Sequence, residues 1–333
     1  MSPRTFFRLF THLQMLPILE AGEETLVGGQ AVMEGVMMRA PHSYCVAVRK
    51  PNGELVTSEM PIERISERHK IFKYPLLRGL GTLYQALKLG GRALNFSALA
   101  SLEEEDKPDA KPPAGSDKPK EVPGWAMGLP VIFSFLFFIF MYKFVPLFLV
   151  TRLAKIYPVF EGRVVSTLAD GGIRLALLLI LLYGFSKLKD MRRMFEYHGA
   201  EHKVVFNFES GQPVTIENAQ RFTTFHPRCG TSFLVVVFLL AIPLYALIPF
   251  DGFAAKLAAR VVLIPLLIGI SYELIFYAAR KRGSLLALLT TPGLWTQRIT
   301  TKPPSDDQAA VAIHALEGAM ALEKSQGGQL VIA

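Results

Sequence analysis

Four apolar runs after residue 125 are typical of helices that cross a membrane. They cover residues 130–150, 173–185, 233–250 and 261–278. A crossing helix needs about 20 predominantly apolar residues, so the second run must include flanking positions to reach that length. We therefore predict an α-helical integral membrane protein with about four transmembrane helices and a small α+β cytoplasmic part.

The first hundred residues carry shorter patterns. Residues 43–49 have the alternation of a β-strand, and residues 54–60 return as a second strand. Pro51, Asn52 and Gly53 between them form a turn signal, so we predict a β-hairpin with Cys45 facing its interior.

A glycine-rich stretch, residues 28–39, precedes this hairpin. It lacks the Gly-Lys-Ser/Thr ending of a phosphate-binding loop. Glu34 within it could be a metal ligand, a hydrogen-bond acceptor for an imidazole, or an ion-pair partner of Arg39. We favour the ion pair.

The composition divides the chain into six parts. Residues 1–26 could be an amphipathic lead-in or a partly ordered tail, without the core of a signal peptide. Residues 71–101 mix apolar positions with charges and glycines, which predicts one or two interfacial or re-entrant helices. A Pro-, Lys- and Asp-rich stretch is interpreted as a disordered linker. The predicted parts are an N-terminal cytoplasmic α+β region with interfacial helices (1–100), the linker (101–124), transmembrane helices 1 and 2 (125–188), a cytoplasmic loop (189–232), transmembrane helices 3 and 4 (233–279) and a cytoplasmic tail (280–333).

The loop and the tail have internal order of their own. In the loop we predict a helix over 194–202, a strand over 203–208, and a helix over 216–222 that Thr215 caps. In the tail we predict a helix over 308–323 that packs on the cytoplasmic part. Trp295 is interpreted as an anchor at the membrane interface.

Charge sets the expected orientation. The chain is 51% hydrophobic, with a formal net charge of +8, a mean hydropathy of +0.32 and a pI near 9.4. Lys and Arg are concentrated in the loop, in the tail and before the first span, which predicts a multi-pass membrane protein with both termini and the loop in the cytoplasm. The expected partner is the lipid bilayer, and a membrane-associated substrate or protein is the further candidate; a nucleic acid is not expected. Two cysteines, Cys45 and Cys229, in unlike contexts indicate a reducing compartment.

The loop contains the residues with the clearest potential for chemistry. His198, Glu201 and His202 have the H-x-x-E-H spacing of inverted zincins. On a helix the two histidines lie one turn apart on one face and can hold one metal ion. Glu201 then lies close enough to act as a general base.

A second cluster follows at the end of the loop. His226 and Cys229 have a short ligand spacing, and imidazole and thiolate both suit zinc, so we predict a divalent metal, most naturally zinc. Arg228 between them could stabilise developing negative charge. Three protein ligands would make a catalytic site, whereas all four of His198, His202, His226 and Cys229 would make a closed structural site.

Three motifs together resemble one family. They are G-G-Q-A-V-M-E-G-V-M-M-R at residues 28–39, Y-H-G-A-E-H-K at 197–203 continuing to H-P-R-C-G-T-S at 226–232, and P-G-L-W-T-Q-R-I-T-T at 292–301. They are similar to the bacterial YqhQ-like multi-pass membrane proteins, a family of unknown function that is often labelled a predicted metal-dependent enzyme. The resemblance implies a location in the bacterial inner membrane and a metal at His198, Glu201 and His202, and it gives no substrate.

Several functions fit these residues. The first is a metal-dependent membrane enzyme, a hydrolase that acts at the cytoplasmic membrane face on a lipid headgroup or a peptide. The alternative is a non-enzymatic scaffold or assembly factor with a structural metal site. A carrier lined by Lys143 and Glu273 ranks last, because four spans are few and no inverted repeat is evident. Cys229 as a nucleophile lacks an identifiable orienting group.

Overall fold

The computed structural model describes residues 27–102, 124–227, 229–280 and 285–325. The lead-in at 1–26, nearly all of the linker at 101–124 and Arg228 lie outside these residues. The described chain is mostly helical and contains one small antiparallel sheet. Its strands are β1 Gly28–Val32, β2 Gly35–Arg39, β3 Ser43–Arg49 and β4 Leu55–Pro61.

The helices of the described residues follow the sheet, and a π-helical turn, Phe140–Phe144, joins the third to the fourth. They are α1 Ile65–Arg68, α2 Leu77–Leu102, α3 Gly124–Ile139, α4 Val145–Ile156, α5 Arg163–Phe185, α6 Lys189–Glu209, α7 Ile216–Arg221, α8 Gly230–Ala246, α9 Phe253–Val262, α10 Ile264–Arg280, α11 Leu285–Thr300 and α12 Asp306–Ser325. Two short 3-10 turns lie at Lys70–Lys73 and Pro158–Glu161.

The sheet is a meander in the order β1-β2-β3-β4. The predicted hairpin is present as β3 and β4, which pair from Ser43 with Pro61 to Arg49 with Leu55. The glycine-rich stretch, for which the sequence pattern predicted no strand, forms β1 and β2 with a turn at Glu34, whose φ is 51°. Gly35 is required there, because a Cβ on it would lie 2.2 Å from the Ala47 carbonyl oxygen.

Both faces of the sheet are covered. Alternate strand residues such as Met38 and Cys45 pack against α6 and α12, while their neighbours such as Val46 pack against α2. Side chains of successive strand residues point to opposite faces, so this two-sided burial follows from the period of two. The predicted interior position of Cys45 is confirmed, since its side chain is fully buried.

The ion pair favoured for Glu34 was wrong. Its carboxylate pairs with Arg193 of α6 and lies 3.3 Å from the Tyr197 hydroxyl, which donates to it. Arg39 instead reaches Gln85 at 3.4 Å. The reason is geometric: Glu34 stands at the turn before β2 and Arg39 at the far end of this strand, whose four steps alone span about 13 Å.

Residues 77–102 form one continuous helix, α2, with 26 residues. The glycines that suggested a break serve close packing instead. A Cβ on Gly79 would lie 2.6 Å from the Tyr272 side chain, and one on Gly90 would lie 2.5 Å from Gln30. Burial against these neighbours offsets the cost of about 1 kcal/mol that glycine carries in a helix.

Two helices are long and apolar enough to cross a membrane, within the described residues. They are Ile132–Ile156 and Arg163–Phe185, with a mean hydropathy of 2.1 and 1.9. The helices α9 and α10 meet at 47° and count as a third candidate if they form one broken span. The apolar helix α8 has 17 residues, so four long spans are confirmed only in part. The predicted run at 261–278 is interrupted because Pro265 fits the first turn of a new helix and not a helix interior.

The loop is more helical than predicted. The expected strand over 203–208 is wrong, since α6 continues to Glu209. Val204 and Val205 favour a strand by propensity, but both are buried on the helix face that packs on the sheet. The capped helix is confirmed as α7, with the Thr215 hydroxyl accepting from the Asn218 amide at 3.2 Å.

The tail is anchored at its C-terminal end. As predicted, α12 packs on the sheet and on α6. Glu323, which is 1% exposed, accepts from the His42 amide and from the Ser43 hydroxyl, both at 2.8 Å. Trp295 in α11 is 65% exposed, and its role as an anchor at the membrane interface stays a prediction.

Candidate metal centre

Two helices bring the metal-ligand side chains together. His198 and His202 lie one turn apart in α6, with ring centroids 4.4 Å from each other. Cys229 is the residue immediately before α8 and occupies its N-cap position. Its Sγ lies 3.2 Å from His198 Nε2. The donor atoms of these three residues all lie within 4.8 Å of one another.

The second nitrogen of each imidazole is already committed. His198 Nδ1 lies 2.8 Å from the Thr300 carbonyl oxygen, and His202 Nδ1 lies 2.5 Å from the Thr224 carbonyl oxygen. A carbonyl oxygen can only accept, so both Nδ1 atoms carry the proton. Both Nε2 atoms therefore present lone pairs. An Nδ1–H group held by a carbonyl is the usual arrangement for a metal-binding histidine.

The environment keeps His202 in the form that binds metals. Burial lowers the pKa of its imidazole, an effect that the hydrogen bond to Cys229 opposes without cancelling. His202 is 2% exposed. Its ring is consequently neutral at neutral pH, with a lone pair available to a metal ion.

Glu201 lies beside this cluster. Its side chain is buried, and Oε2 is 3.4 Å from His202 Nε2. It passes directly over β1, where a Cβ on Gly29 would lie 2.6 Å from Glu201 Cγ. A larger residue at position 29 would displace the carboxylate, so the glycine-rich stretch shapes the site from the sheet side.

His226 is a neighbour of the cluster and not part of it. Its ring centroid lies 5.5 Å from that of His202, and its Nε2 lies 3.6 Å from Glu209 Oε2. Gln297 of α11 holds the His226 backbone through two hydrogen bonds of 2.7 Å, one to the amide and one to the carbonyl. The structure thus brings together three of the four predicted ligands, and Arg228 lies outside the described residues.

The two other motifs support the site from outside. Gly199, between the histidines, lets α6 touch the chain after α11, because a Cβ there would lie 2.0 Å from the Lys302 carbonyl oxygen. Gly293 allows a close approach of α11 to Ser232, whose Cα would lie 2.6 Å from a Cβ at position 293. The motifs predicted close backbone approach for the glycines of residues 28–35, but no role for Gly199 or Gln297. The glycine directly after the candidate ligand His198 was the signal that could have found Gly199.

The donor set is chemically coherent for a metal. Two neutral imidazoles and one cysteine sulfur suit zinc and related borderline metals. Three protein ligands with a carboxylate nearby is the arrangement typical of catalytic zinc sites, whereas structural sites use four. The residues present therefore fit a divalent metal ion.

Comparison with known proteins places the chain in a family. The sequence model of the DUF1385 family, described as a protein of unknown function, matches residues 74–322, and the chain belongs to this family. It is also 35% identical over 301 residues to a protein of Bacillus subtilis (strain 168) described as "Uncharacterized protein YqhQ", covering 89% of this chain and 92% of that protein. The resemblance inferred from the motifs is thus confirmed at the level of the family. No solved structure matches.

Proposed function

We propose that this protein is a membrane-bound, metal-dependent hydrolase. His198, His202 and Cys229 would hold a divalent metal ion, with zinc as the best fit to the donors. The observation that supports this most strongly is the convergence of three donor atoms within 4.8 Å, with the carboxylate of Glu201 next to them.

The roles of the residues follow from their positions. A bound zinc ion supplies Lewis acidity, which allows a water molecule to ionise near neutral pH. Glu201 is the proton acceptor, since its Oε2 is the carboxylate oxygen closest to His202. The Thr300 and Thr224 carbonyl oxygens hold the imidazoles in position. Arg228, next to Cys229 in the chain, is the proposed cation for developing negative charge.

The proposed place of action is the cytoplasmic face of the inner membrane. Two or three candidate spans support membrane insertion, and α8 begins directly after Cys229. The excess of Lys and Arg in the loop and the tail supports a cytoplasmic loop and cytoplasmic termini. The substrate class that fits this position is membrane-associated, either a lipid headgroup or a peptide close to the bilayer.

A structural metal site in a membrane scaffold is the second candidate. It is favoured by His226, whose ring lies 5.5 Å from that of His202 and is close enough to become a fourth ligand after a side-chain movement. Four protein ligands would close the site to water and substrate.

Cobalt substitution tests the first candidate against the second without a known substrate. Purified protein loaded with Co²⁺ should show thiolate-to-cobalt absorption that disappears in the Cys229→Ser variant. Added azide should change the visible spectrum, because a three-ligand site has an open position. A spectrum that azide leaves unchanged in wild-type protein, but alters in the His226→Ala variant, would establish the closed site instead.

A further inference from the structure

A second cluster of charged side chains lies inside the helical bundle, far from the metal centre. It consists of Lys143 in the π-helical turn, Asp170 and Arg174 in α5, and Arg260 in α9, all at most 6% exposed. The cluster surrounds Tyr245 near the end of α8, whereas Cys229 immediately precedes its beginning. The 17 residues of α8 separate the two sites by about 25 Å at the rise of an α-helix.

The positive charges of this cluster exceed the negative ones. Asp170 bridges both guanidinium groups, pairing with Arg174 and accepting from Arg260 Nη1 at 2.6 Å. Lys143 Nζ donates to the Tyr245 hydroxyl at 2.6 Å. Even with Lys143 neutral, two guanidinium groups face one carboxylate. Arginine remains protonated in proteins, so at least one buried positive charge is uncompensated by Asp170.

Donor groups of the cluster are also unused. Arg174 Nη1 and Arg260 Nε are buried and have no hydrogen-bond partner among the described residues. The Arg174 and Arg260 guanidinium carbons lie 5.0 Å from the centroid of the Tyr245 ring, on which both groups converge. Leaving such donors buried and unpaired costs about 1–3 kcal/mol each, and more for charged groups.

We propose that this cluster is a binding site for a phosphate group, carried either by a lipid headgroup or by free phosphate. A phosphate supplies the negative charge and the acceptor oxygens that the two guanidinium groups lack, and the planar fork of arginine matches its geometry. Charged residues within apolar helices usually mark such functional sites. A π-helical turn, such as the one that presents Lys143, is often found at functional sites as well.

The experiment uses the full chain in nanodiscs, with two probes that separate the sources of phosphate. One nanodisc contains phosphatidylglycerol mixed with diglucosyl diacylglycerol, which has no phosphate, and native mass spectrometry measures which lipid is retained. The other contains the glycolipid alone and is titrated with inorganic phosphate while the thermal unfolding midpoint is followed. Preferential retention of phosphatidylglycerol would identify a lipid headgroup as the source of the bound phosphate. A rise of the thermal unfolding midpoint with added inorganic phosphate would identify the free ion.

Two variants connect binding to the cluster. Arg260→Gln removes one uncompensated charge and the unused Nε donor, and we expect binding to weaken about tenfold or more. Lys143→Met should also weaken phosphate binding, and it provides an independent test if the Arg260→Gln variant does not fold. Arg152→Gln, which removes an exposed arginine at the end of α4, should leave binding unchanged. Absence of binding to both probes, or an equal loss in Arg152→Gln, would overturn the proposal.

Discussion

Cys229 Sγ lies 3.2 Å from His198 Nε2, although the two residues are 31 positions apart in the chain. The contact joins α6, which packs on the sheet, to the N-cap residue of the apolar helix α8. The His198–His202–Cys229 cluster therefore forms only when the loop and the helical bundle are assembled. Reagents that measure the accessibility of the Cys229 thiol should therefore report on the assembly of both the loop and the helical bundle.

The two cysteines should differ in reactivity. Burial, and next the negative charge of Glu59, raise the pKa of the Cys45 thiol to about 12, so almost no thiolate is present at neutral pH. Cys229 is partly accessible. In native protein we expect iodoacetamide to label Cys229 and to spare Cys45, and mass spectrometry of the peptides measures the ratio. Zinc should protect Cys229, and denaturant should expose both cysteines. Labelling of Cys229 that zinc does not slow would argue against its role as a ligand.

The Gly199→Ala variant should damage the site and the fold together. Its Cβ would lie 2.0 Å from a backbone oxygen, so α6 must move away from the segment that contains Thr300. We expect a loss of about 2 kcal/mol in the free energy of unfolding and about tenfold weaker zinc binding. Denaturant titration in micelles and competition with a chelator measure the two effects.

Gly91→Ala is the matched control for that variant. Gly91 lies in α2, where a Cβ would meet nothing within 4 Å. Replacing a helical glycine with alanine there should raise stability by up to about 1 kcal/mol and leave zinc binding unchanged. Equal behaviour of the two variants would show that the close contact at Gly199 is unimportant.

Acid should destabilise the metal-free protein through His202. Burial is the main cause that lowers the pKa of its imidazole in the folded state. In the unfolded chain this imidazole binds a proton with the ordinary pKa of about 6.5, whereas in the folded chain it stays neutral at that pH. The free energy of unfolding therefore falls as the pH drops below about 6.5. Denaturant titrations between about pH 8 and pH 5.5 should show this slope. The His202→Gln variant should reduce it, and the exposed His314→Gln variant should not; an unchanged slope in His202→Gln would contradict the assignment.

The end of α12 should depend on Glu323. Burial raises the pKa of this carboxyl, but the hydrogen bonds from His42 and Ser43 outweigh it, so the pKa lies below its ordinary value. Glu323→Ala leaves the His42 amide without this acceptor, whereas the Ser43 hydroxyl keeps the Ala319 carbonyl oxygen at 2.7 Å. The change should cost about 2 kcal/mol. Limited proteolysis should then cut within α12. The exposed Glu317→Ala variant serves as the control, and equal protease resistance of both variants would refute the anchoring role.

Much of the fold follows from local patterns, and the exceptions have physical causes. The β3–β4 hairpin and the Thr215 cap depend on neighbouring residues, and both were predictable. Val204 and Val205 lie in a helix because tertiary packing against the sheet overrides strand propensity. The β1–β2 hairpin was missed because a glycine-rich sequence is typical of a loop. In the structure Gly29 and Gly35 instead allow close contact with Glu201 and Ala47.

The part of the candidate site that lies within one helix was predictable from the sequence. The spacing of His198 and His202 fixes them on one face of α6. The choice between His226 and Cys229 depends on the path of an irregular segment. That path is set by Gln297, which binds the His226 backbone from 71 positions further along the chain. Residue spacing carries no information about such a contact.

Elemental analysis of purified protein and single-site variants tests the three-donor metal centre most directly. Wild-type protein and the Glu201→Gln and His226→Ala variants should each retain about one divalent metal ion per chain. The His198→Ala, His202→Ala and Cys229→Ala variants should lose it, while His314→Ala should keep it. Metal that survives the removal of Cys229, or that disappears with His226, would contradict the site as the structure arranges it.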